Sequence, residues 1–223
     1  MRLGWWKGSL ASGLVAMIAL LLAGVAAADK EKVQLTPAGQ AAARAAVLTR
    51  ADLGAVSGWT GGAQKPDLTS TPPCASFRPK QSDLVLIGAA KTVWQHTGLR
   101  FESVAQVLQT AAMVRLDWQR TVLAPQMLPC LRSGLAKQLG SGAKLVSFGP
   151  VGVPKIATYT RRYRALVDVT TATATVRVMV DVLVVGRGRT EITLITTAPS
   201  VAAAVVEAAE LRLARTLASR ATA

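Results

Sequence analysis

Five valines at alternate positions, Val176, Val178, Val180, Val182 and Val184, constrain this chain more than any other feature. Successive side chains of an extended strand point to opposite faces, so this spacing sets all five on one face. Arg177, Met179 and Asp181 fall on the other, and a helix would scatter the valines around its circumference. The run 173–185 therefore reads as a half-buried strand of an antiparallel sheet. Three further β-rich runs accompany it: KLVSF at 144–148, IATYTRRYRALVDV at 156–169 and RTEITLITT at 189–197. Gly-Pro, Thr-Thr-Ala and Gly186-Arg187-Gly188 separate the four.

The earlier chain alternates between helix and strand signals. Thr36 as N-cap and Pro37 at the first helical position open an Ala-rich helix to about Thr49. Gly58, Gly61 and Gly62 bracket a short strand or turn around Trp59, and residues 65–73 form a Pro/Thr-rich loop. AAKTVWQHT and LRFESVAQVLQ, parted by Gly98, make a hairpin from Ala89 to Gln109. Thr110 caps a helix through AAMVRLDWQRTVL, which Pro125 and Pro129 interrupt. A second helical piece carries Leu128, Leu131, Leu135 and Leu139 before Gly140 stops it. The final helix spans roughly Pro199 to Ser219, with Glu207 and Glu210 ahead of Arg212, Arg215 and Arg220, an order that suits the helix dipole. This succession implies a single α+β domain, a mostly antiparallel β-sheet flanked by helices segregated to one side. The valine face of 173–185 is expected against the last helix.

Residues 1–28 read as a signal peptide. Arg2 and Lys7 supply the positive start, Leu14 to Gly24 the apolar stretch, and Ala26-Ala27-Ala28 an A-x-A site before Asp29. The competing reading is a membrane-anchored protein with the segment uncleaved, because Leu10 to Ala28 carries no charge and approaches the ~20 residues of a spanning helix. Both place the rest of the chain outside the cytoplasm. Val25 follows Leu22-Ala23-Gly24 where a lipoprotein would carry cysteine, so no lipid anchor is expected. Cleavage leaves residues 29–223 as one secreted domain, long enough for a real core.

The full chain holds 26 Lys and Arg, 12 Asp and Glu, one His and two Cys, a formal charge of +14. Cleavage removes two of the bases and none of the acids, leaving +12. One histidine and two cysteines close no four-ligand zinc site, and no cofactor motif is present. Nucleic acid is the usual inference from such a charge, but export argues against it. Gly186-Arg187-Gly188-Arg189 lies between Val-rich strands and reads as a hairpin turn. The implied partner is an anionic envelope component or lipid head group, reached by attraction that salt weakens. In an oxidising compartment Cys74, in the Pro-rich loop, and Cys130, after Pro129, are expected to form a disulfide worth about 4 kcal/mol on the chain-entropy model. Two unpaired thiols are the alternative.

The layout resembles a family. ADLGAVSGW, a cysteine after a Pro-rich loop, SVAQVLQTAAMVRLDWQRTV followed by CL, and a late β-run ending in VGRGRTEI are similar to exported actinobacterial α+β proteins. Among these are the extracellular sensor domain of mycobacterial receptor Ser/Thr kinases and small PsbP-like lipoproteins. The resemblance covers roughly residues 45–220. It implies an antiparallel sheet flanked by helices, a stabilising disulfide and a binding or sensing role outside the cell. The chain departs from the pattern in having no kinase, no lipobox cysteine and a single cysteine pair, and no catalytic residue carries over.

Chemistry is sparse. His96 closes a strand beside Gly98; a catalytic histidine needs a nucleophile and an orienting group nearby, and the serines form no G-x-S-x-G elbow. An envelope-polymer hydrolase using His96 stays as an alternative, and no pair among the acids stands out. The sharpest feature is Arg161, Arg162 and Arg164. On a strand Arg162 and Arg164 share one face while Tyr159, Arg161 and Tyr163 share the other. A turn near Thr170-Thr171 would set Arg164 opposite Arg177, a like-charge pair that calls for an anion or an acid such as Asp181. The functional reading is a secreted, non-enzymatic, sensor-like module binding an anion on the Arg162/Arg164/Arg177 face, assisted by Tyr159 and Tyr163 where the sheet edge is open. The bland alternative is a solvated strand face in an Arg-rich protein.

Overall fold

A computed structural model describes residues 30–68 and 77–221. Residues 1–28, read above as a signal peptide, and Cys74 lie outside the described residues. The late β-rich runs form β5 (Ala143–Pro150), β6 (Tyr159–Thr170), β7 (Thr175–Arg187) and β8 (Thr190–Pro199). The early hairpin is β3 (Val85–His96) and β4 (Leu99–Leu108), turning at Thr97-Gly98 with both φ values positive, 37° and 78°. Primed turns of this kind match the twist of the strands they join. With β1 (Lys32–Val33) and β2 (Thr60–Gln64) these strands make one eight-stranded sheet in the order β1-β3-β4-β8-β7-β6-β5, β2 also pairing β3. Only the short β1–β3 ladder is parallel. The expected α+β class, a mostly antiparallel sheet flanked by helices, is the one the chain adopts.

The helices do not lie on one side. They are α1 (Pro37–Ala45), α2 (Ala111–Arg120), α3 (Met127–Gln138) and α4 (Ala203–Arg220). One core joins Ala43 of α1 and Leu213, Ala214 and Leu217 of α4 to Phe101, Ala105, Leu183, Val185 and Leu194 of the sheet. A second joins Met127, Leu131 and Leu135 of α3 to Tyr163, Val167, Val180, Val182 and Ile195. Val114 of α2 packs with Ala89 and Leu108. Because side chains alternate along each strand, the two cores occupy opposite faces. The valine face of β7 therefore lies against α3, not against the last helix. The opposite face carries Met179, Leu183 and Val185 as well as Asp181, so it too is apolar enough to bury, provided its charges are matched.

Local chemistry sets several boundaries. Thr36 Oγ1 accepts from Gly39 N–H at 3.0 Å, and Pro37 opens α1 as expected. The helix stops at Ala45 rather than near Thr49. Leu48 turns into the sheet, where its N–H donates to Ser103 Oγ (2.8 Å) and its carbonyl accepts from Thr92 Oγ1 (3.0 Å). Backbone groups satisfied by sheet hydroxyls are lost to a helical ladder. Helix α1 also rests directly on β3: a Cβ on Gly88 would stand 2.0 Å from the Gly39 carbonyl oxygen, and one on Gly39 2.2 Å from that of Ile87. Pro129 falls inside the first turn of α3, where a missing N–H is tolerated, so that helix begins before it.

Candidate functional site

The residues predicted to form the binding surface, three arginines on one face and two assisting tyrosines on the other, are not brought to one site by the fold. Arg162 and Arg164 sit together under α4. The β6–β7 turn is centred two residues later than expected, Thr170 pairing with Thr175, which shifts the register by four, so Arg164 faces Asp181 and Arg177 faces Asp168. The like-charge pair expected between Arg164 and Arg177 is thus replaced by two opposite-charge pairs. Arg177 Nε and Nη2 donate to Asp168 at 2.7 and 3.0 Å on the exposed end of the hairpin. Tyr159 and Tyr163 lie on the opposite face, as the alternation required. Strand β5 pairs with β6 from Tyr163 to Val169, so the sheet edge is closed at Tyr163. Tyr159 packs on Trp118, with ring centroids 5.3 Å apart, and Tyr163 donates to the Val122 carbonyl at 2.9 Å.

Beneath α4 the arginines meet three carboxylates. Arg162, 1 % exposed, contacts Asp181 (2.5 Å), Glu207 (2.9 Å) and Glu210 (3.0 Å). Arg164 Nε and Nη2 both donate to Asp181 at 2.7 Å, and Nη2 reaches Glu207 at 3.1 Å. Two guanidinium groups against three carboxylates leave one negative charge in excess. Burial, and then the neighbouring Asp181, push Glu210 up to about 8, so at neutral pH it holds a proton and the cluster is electrically neutral. Arg162 keeps its charge because its carboxylates outweigh the cost of burying it. Glu207 is held below the ordinary range, chiefly by Arg162. This network fastens α4 to β6 and β7.

A second buried cluster is purely acidic. Glu31 before β1, Asp117 of α2 and Glu191 of β8 converge, with Gln81 Nε2 donating to Asp117 at 2.9 Å. Burial raises Glu191 well above its usual value, with Asp117 and Glu31 adding to the shift. Glu31 is pushed up to about 7 by burial and by Asp117.

Counting charges shows what remains outside. Eleven of the 12 acids lie among the described residues. Seven of them pair with Lys or Arg, three form the buried acidic cluster, and Asp67 is the other. Apart from Arg2 and Lys7 every base is described, and eight of these 24 share the seven paired acids. The remaining sixteen, Arg115, Arg132, Lys137 and Arg215 among them, include many exposed side chains.

Three of the sixteen are held by backbone carbonyls. Arg50 opens the 3-10 turn Arg50–Leu53 and donates to the carbonyls of Gly54 (2.8 Å) and Val56 (2.6 Å). Arg212 donates to the Asp52 carbonyl at 3.0 Å, and Arg187 to that of Ala218 at 3.1 Å. Beside them Arg220 pairs with the Asp52 carboxylate through both terminal nitrogens, Nη1 at 2.9 Å. Residues 50, 187, 212 and 220 are far apart in sequence, and no local motif marks them. The order of charges along the last helix was the one visible signal, and it is equally explained by the helix dipole.

The His96 ring packs tilted against Trp59 with centroids 5.3 Å apart and makes no hydrogen bond among the described residues. Cys130, on α3, is buried, and no cysteine among the described residues is free. Among those residues no three His, Cys, Asp or Glu are placed to hold a metal ion, and no helix is long and apolar enough to cross a membrane. No family model matches the chain, and no curated protein matches it.

Proposed function

We propose that this chain is an extracytoplasmic, non-enzymatic binding domain, sensor-like in layout, that engages an anionic component of the cell envelope. The observation that supports it is the sorting of charge. Ten of the eleven described acids are spent on ion pairs or buried against one another, while sixteen cations are not matched by them. A surface of one sign raises the local concentration of its counter-ion and speeds encounter with a polyanion. The leader-like segment at residues 1–28 supplies the location, and the resemblance to kinase sensor domains supplies the sensing part. The Arg162/Arg164 pair moves in this reading from ligand contact to internal support, since α4 covers it. The hydrolase alternative gains no comparable support, because His96 has no hydrogen-bonded partner among the described residues.

The test is co-sedimentation of the exported protein with vesicles of phosphatidylglycerol and of phosphatidylcholine. Binding to the anionic vesicles at low salt, reversed by 0.5 M salt as screening shortens to a few ångström, is expected. Absence of binding to anionic vesicles, and equally to a heparin matrix, at low salt would overturn the reading.

A further inference from the structure

We propose that the arginines gathered around the Arg50–Leu53 turn and the last two turns of α4 form a binding site for a phosphate-bearing ligand, a proposal that rests on the anion-binding reading above. The starting point is how each arginine is held. Arg100, Arg120, Arg162, Arg164 and Arg177 are each neutralised by a carboxylate. Arg50, Arg187 and Arg212 are instead anchored on carbonyl oxygens, which fix a guanidinium without cancelling its charge. A guanidinium has five donors in a rigid fork, and Arg50 spends two of its terminal nitrogens here while Arg187 and Arg212 each spend one.

The anchors place these groups together. Arg212 binds the carbonyl of Asp52, Arg220 binds the carboxylate of that same residue, and Arg50 binds carbonyls two and four residues further along. Arg187 binds Ala218, two residues from Arg220 on α4. Asp52 is itself fixed from behind: Thr49 N–H and Oγ1 donate to its Oδ2 at 2.7 and 2.9 Å. Arg50, Arg212 and Arg220 are thus hydrogen-bonded to one short stretch, residues 52–56, with Arg187 bonded to the helix end beside Arg220, and three of these four guanidinium charges are met by carbonyls rather than by a carboxylate. Asp52 already shows how a carboxylate fits, occupying one guanidinium in full.

The remaining excess suits an anion of higher charge with more oxygens. A phosphate group offers up to four oxygens and up to two negative charges, and it accepts from several arginine forks at once. Free phosphate, a phosphomonoester and a phosphoglycerol head group share that chemistry. Preorganisation by the carbonyl anchors lowers the ordering cost of binding.

The experiment follows backbone amide resonances of the wild-type exported protein during titration with inorganic phosphate, glycerol 3-phosphate and phosphatidylglycerol nanodiscs. Shift changes centred on residues 49–56 and 212–221 are expected, and the strongest of the three ligands identifies the source. The double variant R50Q/R212Q should lose at least tenfold in affinity, while R115Q/R132Q, on α2 and α3, should stay within twofold. Thermal unfolding of each variant checks that it is folded, and R50K/R212K should recover part of the loss by restoring charge without the fork. Salt-reversible binding to anionic vesicles that survives R50Q/R212Q overturns this site and leaves the envelope reading standing. Loss of all binding by the wild-type protein overturns both.

Discussion

Arg164 stands opposite Asp181 across the β6–β7 ladder and binds it with two parallel N–H donors at 2.7 Å. That carboxylate also receives Arg162, so one acid on β7 organises two cations on β6 beneath α4. The pair decides how the most basic segment of the chain is used: its charges are cancelled inside, and α4 closes over them.

Removing Arg162 should therefore be costly. Arg162→Ala leaves the Asp181 and Glu207 carboxylates with Arg164 as their one cation, and losing one partner of a buried pair typically costs about 3–5 kcal/mol. Urea unfolding should show that loss, and Arg162→Met together with Asp181→Asn, which leaves Arg164 balanced by Glu207, should recover part of it. Arg177→Ala, at the exposed pair with Asp168, should leave the midpoint almost unchanged.

Acidity should stabilise the fold more than is usual. Glu31 and Glu210 have folded-state values of about 7 and about 8, and burial raises Glu191 well above its usual value, all above their unfolded range. An acid whose folded value is raised gives stability that is complete below its unfolded value and is lost as pH rises through the folded one. Stability should fall between about pH 5 and pH 8, by on the order of a few kcal/mol for a shift of two units or more. Asp83 and Asp168, held low by Arg120 and Arg177, act in the other direction and lose their contribution only below about pH 4. Denaturation midpoints measured from pH 4 to 9 should peak near pH 5, and Glu31→Gln should raise the midpoint at pH 8 while flattening the curve.

The contact between α1 and β3 sets a steric test. A methyl group on Gly88 would meet the Gly39 carbonyl at 2.0 Å, a distance only backbone movement relieves. Gly88→Ala should destabilise by about 1–3 kcal/mol, the usual cost of overpacking. Gly140→Ala, with open space around it, should cost far less.

Intact-mass measurement of the exported protein addresses two expectations together. Cleavage after Ala28 gives a chain starting at Asp29, and a Cys74–Cys130 bond makes it two hydrogens lighter than its reduced form. The full-length mass would point to a retained anchor, and reaction with a thiol reagent before unfolding would exclude the bond.

Strand content and class were legible because both are written in local periodicity. The valine alternation marked β7, Gly98 marked the β3–β4 turn, and Thr36 and Thr110 marked helix starts whose hydroxyls do accept from the third residue on. What failed was long-range or depended on a count of residues in a turn. Moving the β6–β7 turn to 171–174 shifted the register by four and turned an Arg164–Arg177 clash into two ion pairs. The second buried face of β7 was hidden because Asp181 made it read as polar, and only its pairing with Arg162 and Arg164 makes burial affordable. The end of α1 depended on Ser103 and Thr92, some fifty residues away. The arginine cluster around Asp52 draws on residues separated by up to 170 positions, which no pattern in sequence brings together.

Arginine-selective modification of the native protein with phenylglyoxal, mapped by peptide mass spectrometry, tests the sorting of charge most directly. Arg115, Arg132, Arg161 and Arg215 should react at rates typical of exposed arginines. Arg162 and Arg164 should stay unmodified until the protein unfolds, and phosphate should slow the reaction at Arg50, Arg187 and Arg212 but not at those four exposed arginines. Rapid modification of Arg162 in the native state would contradict the burial of that network and return the β6–β7 face to the list of ligand surfaces.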